Sequence, residues 1–274
     1  MAQVGMGRGS SAIRRASDSG PGKQSTQDRG VDAPANLDKL KEYLYSLTEE
    51  NFNQYGAKFG MMTLAYLTKR PKEVSSVASL VYGAATTSKE TTRLGAMVCK
   101  MIIYPANMLA EHENATKEFR NTIVTLLHKN FDDKKQVRVK SIEMWLAIFS
   151  FLSDMYYCMH SSNRKGWNFI GKAILDACRF MLNNDDCDDD EIECLCQQLK
   201  DNGKPLEETD PTGIECIISE LRTRVIMKNT TQRARCLCMD LIEYRAHGYS
   251  DPGNKLSDFY LVALQDAIAN DETQ

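Results

Sequence analysis

The amino-acid sequence predicts an all-α fold, an α-solenoid of about ten helices arranged as antiparallel pairs. Three observations point there. From Asn36 onward, apolar residues recur at i, i+3, i+4 and i+7 almost without interruption, the spacing of one helix face. Runs of alternating apolar and polar residues bounded by Asn-Gly or Asp-Gly turns are missing. The breaks between apolar stripes return so that a helix pair takes about 40 residues, the period of a HEAT-like repeat.

In chain order, Asn36 offers a side-chain acceptor for an N-cap, and Leu37, Leu40, Leu44 and Leu47 follow it on one face. Residues 48–69 form the next helix, which Pro71 closes. Val74, Val77, Ala78 and Val81 make a third stripe, and Leu94, Met97, Val98, Met101 and Ile102 a fourth. Phe119, Ile123, Leu126 and Leu127 come next. Residues 144–159 are apolar nearly all round, as expected of a helix buried on most sides at the centre of a fold. This segment contains Asp154 and is too short to span a bilayer, so no membrane association is expected. The acidic run Asp185, Asp186, Asp188, Asp189, Asp190 and Glu191 precedes Ile192, Leu195 and Leu199, where a helix dipole favours negative charge. Ile214, Ile217, Ile218, Leu221 and Val225 form a regular stripe, and Ala234, Leu237, Cys238, Leu241 and Ile242 the last strong one. Breaks are expected near Pro71, Thr87, 105–114, 161–163, 183–190, 203–211 and 248–253.

The chain has 274 residues, 42% hydrophobic and 26% charged, with a net charge of −3. That composition excludes a fibrous or wholly disordered protein, and the bulk charge does not favour nucleic acid. Residues 1–36 hold six of the sixteen glycines and no aromatic residue, so they are expected to be a disordered tail that buries too little apolar surface to offset its ordering entropy. Residues 37–268 read as a single helical-repeat domain, and 269–274 as a short disordered end. With no apolar leader at the start and nine cysteines, reduced thiols in a cytoplasmic protein, or one also found in the nucleus, are expected.

Catalytic motifs are missing: there is no G-x-S-x-G elbow, phosphate-binding Gly loop or H-E-x-x-H pair. No enzyme, cofactor or metal is therefore expected. Cys194 and Cys196, like Cys236 and Cys238, stand two apart on helices and face opposite sides, which suits buried thiols rather than a zinc cage. The acidic run matches a calcium loop at its first alternating positions, but Glu191 stands where the loop needs Gly and Gln197 where it needs Glu. Two basic groups remain. Lys134, Lys135, Arg138 and Lys140 read either as a solvated helix start or as a contact for RNA or an acidic partner; no aromatic residue interleaves them to stack bases. Arg222, Arg224, Lys228, Arg233, Arg235 and Arg245 come from two adjacent helices and read either as ordinary surface charge or as a ridge facing an acidic partner. In the tail, Arg14 and Arg15 before Ser17 fit a basophilic kinase site, where phosphate would erase much of the tail's positive charge.

Several segments, in order, resemble the middle domain of the eukaryotic translation initiation factor 4 gamma family. Leu237 to Tyr249 is similar to its closing helix, which ends in Leu/Ile-Glu-x-Arg before a Trp; Glu243 and Arg245 match, and Tyr249 stands in the Trp position. Asp190 to Glu207 resembles its acidic-start helix, Glu118-Phe119-Arg120 with Ile123 to Leu127 its Phe-Arg-x-x-Leu-Leu helix, and Trp145 to Met159 its central helix. Leu40 to Thr48 and Leu80 to Thr87 are similar to the first helices of one of the family's small adaptors, one that interacts with poly(A)-binding protein. The resemblance spans about residues 37–250. It implies a crescent of HEAT-like helix pairs acting as a non-enzymatic adaptor in mRNA translation. Its partners would be a DEAD-box helicase and a poly(A)-binding or histone stem-loop-binding protein, with RNA and a second copy as further partners. The helicase contact that some members make through C-terminal helices would map to Arg222, Arg224, Arg233, Arg235, Glu243 and Arg245; the Glu243/Arg245 pair could equally tie the last helix to its neighbour. Direct RNA binding through residues 134–140, or a helical scaffold unrelated to translation, are the rival readings.

Overall fold

The structure, a computed structural model, describes residues 33–106, 108–160, 167–184, 186–227, 229–250 and 254–271. Among the described residues there are twelve α-helices, three single-turn 3₁₀ helices and no strand. In chain order the α-helices are α1 (Leu37–Ser46), α2 (Glu49–Lys69), α3 (Val74–Ala85), α4 (Thr92–Ile103), α5 (Glu113–Asp132), α6 (Lys134–Lys140), α7 (Ile142–His160), α8 (Asn168–Leu182), α9 (Asp189–Thr209), α10 (Pro211–Ile226), α11 (Gln232–Ala246) and α12 (Asn254–Asp271).

Local chemistry starts these helices where the sequence places them. Asn36 accepts the Lys39 N–H at 3.0 Å. Thr48 and Asn51 cap α2 reciprocally, as Asp188 and Glu191 cap α9. Asp210 accepts the Gly213 N–H at 2.8 Å with Pro211 at the first position of α10.

Within residues 31–274 the helices form two layers. In one, α2, α4, α7, α9 and α11 lie side by side, each packed on the next. In the other, α3 packs on α5 and α8 on α10, and these helices cover the first layer. This is the HEAT-like stacking of the expected solenoid. One continuous core runs from Leu40 to Leu241, and α7 lies at its centre with Trp145, Phe149, Phe151 and Tyr156 fully buried. No described helix is long and apolar enough to cross a membrane.

Three features differ from the sequence reading. The last helix, α12, runs on to Asp271, into the end expected to be disordered from residue 269. Residues 134–140 form a separate short helix, α6, set off by Asp133 and Ser141, so the number of helices exceeds ten. The break expected at 203–211 narrows to Asp210: α9 runs on through Gly203 and carries Pro205 inside it. Gly203 serves close packing there, since a Cβ on it would lie 2.2 Å from Tyr249 Cε1. Of the expected tail, residues 1–32 lie outside the described residues; Ala33 packs on the core and Pro34 is buried.

Candidate partner-binding site

The arginine group predicted as a ridge lies on α10 and α11. Thr231 caps α11, and the Ala234, Cys238 and Leu241 face packs inward. That register leaves Arg245, in the last turn, beside two other helices. Its guanidinium contacts Glu207 of α9 through Nη2 at 2.5 Å and Nε at 3.1 Å, and Glu215 of α10 through Nη1 at 2.7 Å. The Arg245 hydrogen bonds hold both carboxyls below the usual range. Past the helix end, Gly248 and Tyr249 adopt positive φ, +68° and +58°. This turn carries the Tyr249 ring back onto Gly203, and its hydroxyl donates to Glu207 at 2.8 Å. Desolvation and the Glu207 carboxylate push the Tyr249 phenol up. Glu243 accepts from the Tyr260 hydroxyl of α12 at 2.7 Å.

At the other end of α11, Arg233 pairs with Glu193 and with Asp190 at 3.3 Å, both on α9. The Thr231 hydroxyl donates to Asp189 at 2.6 Å. Arg224 donates to the carbonyls of Leu182 and Asn184, at 2.9 and 3.0 Å, satisfying the end of α8. Arg235 donates to the Met227 carbonyl at 2.7 Å. Arg222 pairs with Glu215 at 3.1 Å, and both side chains are more than half exposed, at 55% and 54%. Lys228 lies outside the described residues. The guanidiniums of Arg233 and Arg245 thus clamp α11 onto α9 and α10, that of Arg224 ties α10 to the end of α8, and Arg222 with Glu215 forms the outward, mixed-charge edge.

The first basic run divides in the same way. Arg138 makes a bidentate pair with Glu191, both contacts 2.7 Å, and reaches Asp186 at 3.1 Å. Glu191 is completely buried, so the acid that caps α9 also needs this cation. Lys134 Nζ sits 4.4 Å from the Phe131 ring centroid. Lys135 and Lys140 are exposed. Ser17 lies outside the described residues.

The sequence reading passed over a polar cluster in the first layer. Asp154, buried on α7, accepts from Thr92 Oγ1 at 2.7 Å and pairs with Arg93 at 2.9 Å. Arg93 also reaches Asp201 of α9 at 3.3 Å and stacks 3.8 Å from the Tyr157 ring centroid. Burial pushes the Asp154 carboxyl up to about 6, against the opposing pull of Thr92 and Arg93. An acid inside an otherwise apolar helix was the available signal. Cys194 and Cys196 face opposite ways: Cys194 contacts Ser150 of α7 at 3.2 Å, whereas Cys196 faces the Cys238 thiol of α11; Cys194, Cys196 and Cys238 are buried and Cys236 is half-buried.

A family model described as the MIF4G domain matches residues 31–248. The chain is 21% identical over 230 residues to the CBP80/20-dependent translation initiation factor of Xenopus tropicalis, covering 84% of this chain but only 38% of that protein. It is 20% identical over 179 residues to a MIF4G domain-containing protein of Xenopus tropicalis, covering 65% and 78%. It is 25% identical over 166 residues to the Mus musculus MIF4G domain-containing protein, covering 59% and 70%.

Proposed function

The chain belongs to the MIF4G-domain family, and on that premise we propose that it is a non-enzymatic adaptor in mRNA translation that joins an mRNA-bound protein to the initiation machinery. The observation that carries this reading is the match of the family across the helical body, residues 31–248, beside a relative named as a translation initiation factor. Mechanistically, two stacked layers of helices give fixed surfaces. Arg138, Arg233 and Arg245 bind α9 to α6, α10 and α11, so the surfaces keep their spacing when loaded. A platform that holds two partners at a set separation raises the effective concentration of one for the other without catalysing anything.

The proposed partners are a DEAD-box helicase on the α10–α11 edge, and a poly(A)-binding or histone stem-loop-binding protein elsewhere on the body. Arg222 and Glu215 make that edge a mixed-charge surface rather than a uniformly basic one, which favours a protein partner over the RNA backbone. The test is affinity purification of the full chain from cytoplasmic extract with and without ribonuclease. Ribonuclease-resistant recovery of a helicase or of either RNA-binding protein is expected. A partner set without translation factors would overturn the reading, and recovery that vanishes with ribonuclease would replace it with direct RNA binding.

A further inference from the structure

We propose that Cys196 and Cys238 form an oxidation site, at which hydrogen peroxide turns two facing thiols into a disulfide that locks α9 to α11. The two helices lie side by side, and ion pairs on both sides of the thiols hold them there. Arg233 pairs with Glu193 nearer the helix starts, and Lys200 pairs with Asp240 nearer the ends. Between these pairs the Cys196 thiol of α9 faces the Cys238 thiol of α11, and both residues are buried. Facing thiols on helices clamped in this way need only a small movement to be bridged.

Burial alone leaves a thiol inert, as at Cys99 and Cys178, which burial pushes far above the ordinary range. Cys238 differs in its surroundings. It lines a pocket of about 80 Å³ with Asp189, Arg224, Thr230 and Thr231, between the start of α9 and the turn from α10 to α11. That is more room than one water needs, and the walls are polar, so a molecule of two oxygens can enter. The facing Cys196 thiol and then the Arg224 guanidinium draw the Cys238 thiol below its ordinary value, against burial and the Asp189 carboxylate. The same contact with Cys238, joined by burial, pushes Cys196 up. One sulfur is therefore the nucleophile, and the other is a resolving thiol held against it.

The chemistry balances with peroxide as the co-reactant. Cys238 Sγ, as thiolate, attacks one peroxide oxygen. The O–O bond breaks, the leaving hydroxide takes up the thiol proton to become water, and the sulfur, oxidised by two electrons, is a sulfenic acid. Cys196 Sγ then attacks the Cys238 sulfur. The S–S bond forms, the S–O bond breaks, and the oxygen leaves as a second water with the Cys196 proton. Two thiols and one hydrogen peroxide give one disulfide and two waters. The bridge joins residues 42 apart in the chain and adds a covalent tie between helices that ion pairs already hold together.

The experiment treats the reduced, folded full chain with a slight excess of hydrogen peroxide, blocks the remaining thiols by alkylation and maps the peptides without reduction. A disulfide between Cys196 and Cys238 is expected as the main product, with two of the nine thiols lost and both regained in dithiothreitol. The oxidised chain should melt about 5 °C higher, and dithiothreitol should reverse this. Cys196→Ser should leave on Cys238 a sulfenic acid that dimedone traps, and Cys238→Ser should leave Cys196 reduced. Cys216→Ser, at an exposed position of α10, should leave the cross-link unchanged. If a buried variant does not fold, the peptide map of the unaltered chain decides. Four results would overturn the proposal: retention of all the thiols, a bridge from Cys238 to Cys187, which lines the same pocket, oxidation of Cys216 or Cys236 ahead of the pair, or a melting temperature that the bridge does not raise.

Discussion

Arg138 and Glu191, 53 residues apart in the chain, meet in a bidentate pair that joins α6 to the first turn of α9. Glu191 is fully buried and Arg138 is nearly so, with 11% of its side chain exposed. An ion pair of this kind is worth less as a gain than as a liability, because loss of one partner strands the other charge in the interior.

Arg138→Leu should therefore destabilise the fold by about 3–5 kcal/mol, the usual cost of orphaning a buried ion. Combining it with Glu191→Leu should recover part of that loss. Chemical denaturation of the single and double variants reads the difference; a double variant as unstable as the sum of the singles would show that the two residues do not act as a pair.

Asp154 gives a pH signature with a definite sign. Its carboxyl rises from the ordinary 3.8 to about 6 on folding, so between these values the folded state binds more proton than the unfolded state. The contribution of Asp154 to stability is then fully present below about pH 4 and falls as pH rises to about 6, by about 3 kcal/mol in all. Glu207 and Glu215, held down by Arg245, act the other way and lose their contribution as pH falls through the acid range. The difference in unfolding free energy between the wild type and Asp154→Asn should change between about pH 4 and 6 and be flat above that. A flat difference throughout would mean that Asp154 titrates as an ordinary surface acid.

Gly203 and Tyr249 form a lock of backbone against ring. Gly203→Ala should cost about 1–3 kcal/mol by forcing the ring away from α9. In a Tyr249→Ala background the same change should cost almost nothing, since the clash is gone. Thermal melts of the four proteins complete this cycle.

Arg222→Glu and Arg245→Glu separate contact from clamp. Arg222 is exposed, so its reversal should weaken recovery of a DEAD-box helicase and alter stability by no more than about 0.5 kcal/mol. Arg245 contacts two carboxylates with 18% of its side chain exposed, so its reversal should lower the melting temperature directly. Helicase recovery untouched by Arg222→Glu would remove the α10–α11 edge as the contact.

The information legible along the chain is local. The stripes of α1, α3 to α5, α10 and α11 are one-face patterns, the α7 segment is apolar nearly all round, and the caps at Asn36 and Asp188 act over three residues, so all are legible in one dimension. The all-α solenoid and the buried centre at α7 follow from them. Which charges are available to a partner follows from the packing of the helices. Arg138 in the first basic run, and Arg233 and Arg245 in the second, are held by carboxylates 30 to 53 residues away. The packing also decided that Gly203 packs rather than breaks a helix, because the ring that needs the space belongs to Tyr249. A hydrophobic period says which side of a helix turns inward, but not which residue of another helix stands against the outer side. That depends on how neighbouring helices are offset, and the offset is fixed only when the core closes.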